Sequence, residues 1–212
     1  MNSVAVLCDG AFPRKAYPLY LLEHADAVVC CDASVRKFYR HFGRLPQAVV
    51  GDMDSLSPAW QKRLGSLMVK VEEQDDNDQT KALRYVLERW PEASEITILG
   101  AGGLREDHTV GNLGLLMEYP RLFDLGDRRI TMVSDYSTAF AVTDSCELHV
   151  GTGRRFSLFS PDNSLTICSE GLQWPTDNVV FDNWWPATLN RATQDIVRLS
   201  FSHPSRALVI LD

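Results

Sequence analysis

The sequence predicts an α/β protein: a mostly parallel sheet flanked by helices in the N-terminal part, then a small C-terminal antiparallel β-sandwich. Three observations lead there. From Ser3 to about Val142, short apolar runs alternate with helix-like segments. Those runs are continuous, the mark of strands covered on both faces. From about Ser145, apolar and polar residues alternate, punctuated by Gly, Pro, Asp and Asn. Period two with tight turns is the pattern of half-buried antiparallel strands.

In the first part, Val4–Cys8, Ala27–Cys31, Ala48–Val50 and Ile96–Leu99 read as buried strands, with a further apolar stretch at Leu67–Val71. Val35–Phe42, Pro58–Leu67, Asp78–Trp90 and His108–Tyr119 read as helices. In the third of these, Ala82, Leu83, Val86, Leu87 and Trp90 form one apolar stripe at helical spacing. Strand–helix alternation of this kind makes a parallel sheet. In the second part, Phe156/Leu158, Leu165/Ile167 and Val197/Leu199/Phe201 mark strands. Turns are expected at Gly151–Gly153, Pro161–Asn163 and Thr176–Asn178. The domain boundary is placed near residues 142–146, giving domains 1–143 and 144–212.

Composition narrows the function. The 212-residue chain is 45% hydrophobic and 23% charged, ordinary for a globular protein, and is long enough to bury a sizeable core. Its net charge of −7 argues against general binding to nucleic-acid backbones, which clustered Lys and Arg carry. No apolar run approaches the length of a membrane span. Met1–Arg14 lacks a basic stretch followed by an apolar run, so no leader peptide is expected. The five cysteines, Cys8, Cys30, Cys31, Cys146 and Cys168, form no CxxC pair, so neither a disulfide framework nor a zinc site is expected. Three lie in apolar runs and read as small buried hydrophobes. A reducing cytoplasm is the expected compartment.

Ligands of open α/β sheets bind beyond the C-terminal ends of the strands, and acidic residues collect there. Asp9 follows the first strand, Asp32 the second and Gly51-Asp52-Met53-Asp54-Ser55 the third. One such aspartate is more often a helix cap than a ligand; a succession of acidic strand ends is harder to explain that way. Asp52 and Asp54 in a turn can approach one Mg²⁺, which favours one or two carboxylates plus phosphate oxygens and water. An Asp-rich turn with Ser55 capping the next helix is the alternative. Next comes Gln74-Asp75-Asp76-Asn77-Asp78-Gln79-Thr80-Lys81, with Asn77 or Asp78 as N-cap. Asp78 and Lys81 then share a helix face, either as a surface pair or as a carboxylate beside a phosphate-binding lysine. Gly100-Ala101-Gly102-Gly103-Leu104-Arg105-Glu106-Asp107-His108 follows the next strand. Its glycines allow close backbone approach to a phosphate, and Arg105 suits a bidentate contact. It is neither a Walker A loop nor a GxGxxG fingerprint.

The segments GDMDS, QDDNDQTKA and GGLREDH, in this order, resemble those of the thiamin pyrophosphokinase family: GDxDS, a QDxTDxxKA-like segment and GGRxDH. The family's C-terminal GLxW motif corresponds to Gly171-Leu172-Gln173-Trp174, and Leu189-Asn190 stands where the family has a Ser-Asn pair. The resemblance covers nearly the whole chain. It implies transfer of pyrophosphate from ATP to the hydroxyl of thiamin, giving thiamin diphosphate and AMP, with Mg²⁺ as cofactor. It also implies a homodimer with active sites between subunits. By motif, Asp52, Asp54, Asp75 and Asp78 are the metal acids. Lys81 and Arg105 hold phosphates, and Asp107 positions reacting groups. Asp32, Ser55 and His108 face ATP, and Trp174 and Asn190 face thiamin. The chain departs from the family at Leu104 and Leu189, which replace a glycine and the serine. It also departs at Asp32-Ala33-Ser34-Val35-Arg36-Lys37, where the family has a glycine-rich segment; Arg36 or Lys37 is the candidate phosphate contact there. Two rivals are a nucleotide-sugar glycosyltransferase built on Asp52 and Asp54, which leaves the later segments unexplained, and a non-catalytic thiamin sensor. A third is an interaction module at Trp184-Trp185-Pro186, where core or dimer packing is the expected use.

Overall fold

The computed structural model describes residues 2–73 and 75–212. Gln74, the first residue of the second acidic segment, and Met1 lie outside the described residues. The chain divides into two compact units, residues 1–112 with 125–135 and residues 113–124 with 136–212.

The first unit runs β1 (Ser3–Leu7), α1 (Ala16–His24), β2 (Ala27–Cys31), α2 (Ser34–Phe42), β3 (Ala48–Gly51), α3 (Pro58–Leu64), β4 (Met68–Lys70), α4 (Asp78–Arg89), β5 (Glu95–Leu99), the start of α5 (Glu106–Leu122) and β6 (Arg129–Val133). The strands stand in the order β6-β5-β1-β2-β3-β4. All pairings are parallel, with Val4 opposite both Ala27 and Ile96, Val50 opposite Cys31 and Val69, and Ile98 opposite Met132. The order reverses between β1 and β5, which makes that the switch point where doubly wound sheets bind ligands. Continuous apolar strands follow from this geometry: every residue of β2 and β3 is buried.

Helix boundaries have local causes. The Asn77 side chain accepts the Thr80 N–H and caps α4. Pro58 opens α3, where its missing N–H costs nothing. Gly43 ends α2 in the left-handed conformation that glycine adopts without strain. Ala82, Leu83 and Val86 bury the expected stripe of α4. Neither α1 nor β6 was expected from the sequence. In α1 only Pro18 and Leu22 are buried while Tyr17 and Tyr20 are exposed, so its apolar residues do not mark one face. β6 buries only Ile130 and Val133 of its five residues. Cys8, Cys30 and Cys31 are buried, and all five cysteines are free.

The second unit contains the rest of α5 from Leu113, then β7 (Thr138–Val142), β8 (Cys146–His149), β9 (Arg155–Phe159), β10 (Ile167–Glu170), β11 (Ala187–Arg191), β12 (Ile196–Phe201) and β13 (Ala207–Leu211). Within this unit the strands pair antiparallel in the orders β11-β9-β13-β7 and β10-β12-β8. Phe156, Leu158, Leu165, Ile167, Val197 and Leu199, from the expected alternation, join Val209 in one core drawn from both sets of strands. No helix among the described residues is long and apolar enough to cross a membrane.

Candidate active site

The loops after β1, β2, β3 and β5, with the start of α4, line a cleft of about 390 Å³, within the range of small-molecule sites. It lies at the switch point. Of the residues expected from the sequence, Asp32, Ser55, Asp78, Arg105 and His108 line it. Asp52, Asp54, Asp75, Lys81 and Asp107 do not.

Among the described residues, two of the three strained non-glycine ones lie in or beside the same loops, and the third, Leu189, lies in β11 of the second unit. Asp32, Met53 and Leu189 are the non-glycine residues with positive φ among the described residues, at 40°, 69° and 59°. Such conformations are unfavourable for side-chain-bearing residues and persist where surrounding contacts hold them. The Asp32 carboxylate accepts the Met53 N–H at 3.0 Å, which joins the end of β2 to the loop between Asp52 and Asp54. Gly51 cannot carry a side chain here, because a Cβ would lie 2.3 Å from Asp32 Oδ1. Within the next turn, Asp52 Oδ1 accepts the Asp54 N–H at 3.0 Å. Asp52 is half-buried and Asp54 exposed.

Electrostatics tie these acids together. Burial pushes the Asp32 carboxyl up to about 6, and the negative charges of Asp78 and Asp52 push the same way. Asp78 is also raised, first by burial; Lys81 opposes the shift, while Asp52 and Asp9 add to it. Asp32, Asp52 and Asp78 are therefore an acidic group without enough compensating charge, while Asp9 beside them is paired with Lys37. Lys81 is buried, and no carboxylate lies within 4.0 Å of its ammonium among the described residues. No group of three or more His, Cys, Asp or Glu converges in ligand geometry among the described residues.

A second lysine of the region is engaged. Lys37 Nζ lies 2.8 Å from the Asp9 carboxylate and donates to the Asp9 and Gly10 carbonyls at 2.7 and 2.8 Å. Lys37, one of the two candidates for a phosphate, staples the β1–α1 loop through these contacts. That loop packs against the glycine segment after β5. Gly10 N–H donates to the Gly100 carbonyl and Ala11 N–H to the Gly102 carbonyl, and a Cβ on Gly10 would sit 2.4 Å from Gly100 O. The glycines thus serve loop-to-loop packing as well as any ligand. Leu104, at the position of a family glycine, is exposed on the cleft.

Arg105 and Asp107 form a forked pair, Nη2–Oδ2 2.6 Å and Nε–Oδ1 3.2 Å, on the exposed start of α5. The pairing lowers the Asp107 pKa and raises that of Arg105. Asp107 Oδ1 also accepts the His108 N–H at 2.9 Å.

Sequence reasoning passed over Asn112. Its buried amide donates to the Ala101 carbonyl at 2.7 Å and accepts from Asn77 Nδ2 at 2.7 Å, while Gln79 Nε2 reaches its carbonyl at 3.2 Å. This bond set joins the cap of α4 to the glycine loop. The available signal was spacing: Asn112 lies four residues after His108, on one helix face.

In the second unit, Trp174 is exposed and Asn190 buried. The Asn190 amide is engaged with the main chain of Trp174, accepting its N–H at 3.1 Å and donating to its carbonyl at 2.6 Å. Trp184 and Trp185 are exposed in the single chain, and Trp184 packs on Phe159 with ring centroids 5.2 Å apart.

Residues 19–124 match the family model described as "Thiamin pyrophosphokinase, catalytic domain", and residues 138–205 match "Thiamin pyrophosphokinase, substrate-binding domain". The chain belongs to the thiamin pyrophosphokinase family. Thiamine pyrophosphokinase 1 of Oryza sativa subsp. japonica is 30% identical over 203 residues, covering 82% of this chain and 73% of that protein. Thiamine pyrophosphokinase 1 of Arabidopsis thaliana is 27% identical, covering 82% and 72%. The fold is shared with solved structures at lower identity. A thiamin pyrophosphokinase family protein from Enterococcus faecalis superposes with a TM-score of 0.78 at 21% identity, covering 100% of this chain and 99% of that one. Yeast thiamin pyrophosphokinase gives 0.77 at 16%, covering 99% and 86%. Membership of the thiamin pyrophosphokinase family makes the chain an enzyme, and family matches on both halves disfavour a glycosyltransferase.

Proposed function

We propose that this enzyme transfers the pyrophosphoryl group of ATP to the hydroxyl of thiamin. The hydroxyl oxygen bonds to the β-phosphorus and gives up its proton to solvent, the bond from that phosphorus to the α-phosphate bridging oxygen breaks, and AMP leaves as thiamin diphosphate forms. Residues 1–143 supply the ATP and metal site, and residues 144–212 the thiamin contacts. The observation that carries this reading is the uncompensated acidic group at the switch-point cleft of a chain whose two halves both match the family.

Mg²⁺ fits the donor set. Its habit is one or two carboxylates with phosphate oxygens and water completing the shell, and burial and mutual repulsion at Asp32 and Asp78 call for a counter-charge. Asp52, Asp54, Asp75 and Asp78 would hold it, with Asp32 beside them; the coupling of Asp52, Asp32 and Asp78 supports those three most. When bound, the cation neutralises charge on the transferring phosphates. Lys81, kept from carboxylate pairing, has its charge available for a phosphate, and Arg105 can exchange Asp107 for one. Ser55 and His108 face the nucleotide. Such transfer rests on positioning and charge neutralisation more than on covalent chemistry by the protein. Trp174 offers an aromatic face to the cationic ring of thiamin, worth about 0.5–2 kcal/mol. By resemblance to the family the enzyme works as a homodimer in the cytoplasm.

The test is AMP formation from ATP and Mg²⁺, with and without thiamin, and mass spectrometry of the product. Thiamin-dependent AMP with an equal amount of thiamin diphosphate establishes the reaction. Thiamin binding without AMP points to a sensor.

A further inference from the structure

The segment before Trp174 lies along the end of β11 as a short antiparallel ladder. Thr193 N–H donates to the Gly171 carbonyl, Leu172 bridges Ala192, and Gln173 N–H donates to the Arg191 carbonyl, the two hydrogen bonds at 2.8 Å. The next rung falls between Trp174 and Asn190. There the backbone changes course: Leu189 has a left-handed φ of 59°, and the β11–β9 register shifts between Ala187 and Asn190. The Asn190 side chain takes the place of the main chain. Oδ1 accepts the Trp174 N–H at 3.1 Å and the Arg191 N–H at 2.9 Å, and Nδ2 donates to the Trp174 carbonyl at 2.6 Å. This chemistry fixes the amide's orientation, because N–H groups must face the oxygen and a carbonyl must face the nitrogen. Both lone pairs of Oδ1 are then spent, and Asn190 is 5% exposed while Trp174 is 56% exposed.

We propose that Asn190 is a positioning residue: its amide completes the ladder at Trp174, fixes that backbone, and so presents the indole to the ring of the acceptor. The acceptor part rests on the reading that the second unit binds thiamin. Asn190 acts through Trp174 and does not itself contact the acceptor.

Asn190→Asp is the sharpest variant, since it keeps the shape and the N–H acceptor but sets a carboxylate oxygen against the Trp174 carbonyl. Three readouts are taken on the full-length protein: KM for thiamin and for ATP, acrylamide quenching of Trp174 emission obtained by difference from Trp174→Phe, and a double-mutant cycle with Trp174→Ala. The expected result is a rise of about tenfold in the thiamin KM, the scale of one or two lost hydrogen bonds. The ATP KM is unchanged, quenching at Trp174 increases, and the thiamin KM does not rise further in the Trp174→Ala background. Effects that multiply in the cycle would mean direct contact by Asn190 and overturn the proposal; so would unchanged quenching of Trp174. Asn190→Ser, too short to span both rungs, repeats the test. Failure of both variants to fold also overturns it, because Asn190 then serves the whole unit. A wild-type protein that forms no thiamin diphosphate removes the functional reading, while the quenching comparison still decides whether Asn190 holds Trp174.

Discussion

Asp32 in the first unit and Asp162 in the second shift in opposite directions. Asp32 is raised to about 6, chiefly by burial and then by neighbouring carboxylates. Asp162 is lowered to about 2 by hydrogen bonds from Ser164 and Ser205. The Ser164 and Ser205 hydroxyls both lie 2.6 Å from it and the Ser164 N–H 2.9 Å. One acid is solvated by serines of its own turn and of the turn between β12 and β13; the other is held where its charge is unwelcome. A charge that the fold satisfies marks a structural clamp, and a charge that the fold leaves uncompensated marks a place for a ligand.

The comparison breaks most visibly at Asp78. Asp78→Asn removes charge from the uncompensated group, and kcat/KM is expected to fall by about 10³-fold with no loss of melting temperature. Asp54→Asn is likewise expected to abolish transfer with the fold intact; wild-type-like turnover there would remove Asp54 from the proposed metal site. Gly10→Ala tests the loop contact beneath the cleft. Its Cβ meets two backbone carbonyls, so a loss of about 1–3 kcal/mol in denaturant unfolding and weaker ATP binding are expected.

Asp162→Ala does the reverse of Asp78→Asn. It is expected to cost about 2 kcal/mol of unfolding free energy through its lost hydrogen bonds, while turnover per folded molecule stays constant. Its wild-type contribution is full above the ordinary carboxylate value of 3.8 and is lost as pH falls through about 2. Asp32 gives the smallest effect, with the opposite sign. Its raised pKa means that the ligand-free protein is favoured below 3.8 and loses that advantage as pH rises through about 6. Asp32→Asn should therefore match wild type near pH 4 and exceed it by about 1–2 kcal/mol at pH 7–8, while binding ATP·Mg more weakly. A variant less stable than wild type at pH 8 would show that Asp32 is satisfied in the free enzyme, and the contrast with Asp162 would collapse.

Much of the fold was legible because it is written in local periodicity. The continuous apolar runs at Val4, Ala27, Ala48 and Ile96 are the buried parallel strands, and the α4 stripe is buried as spaced. α1 escaped because its exposed tyrosines blur any face. Of the site, the acids and glycines announced themselves by clustering at strand ends. What they do there was less legible. Lys37, a candidate for a phosphate, donates to the Asp9 and Gly10 carbonyls, and Asn190, expected to face thiamin, holds the Trp174 main chain with its amide.

The sequence by itself determined which segments become strands and helices, their order, and the positions of the acidic and glycine-rich loops, since short-range spacing and turn chemistry suffice for these. Tertiary structure alone decided which charges are compensated and which amides are spent. Asp32 meets Met53 across 21 positions, Asn112 meets Asn77 across 35, and Asn190 meets Trp174 across 16. A hydrogen bond or a desolvated charge depends on neighbours in space, and only the folded sheet brings those neighbours together.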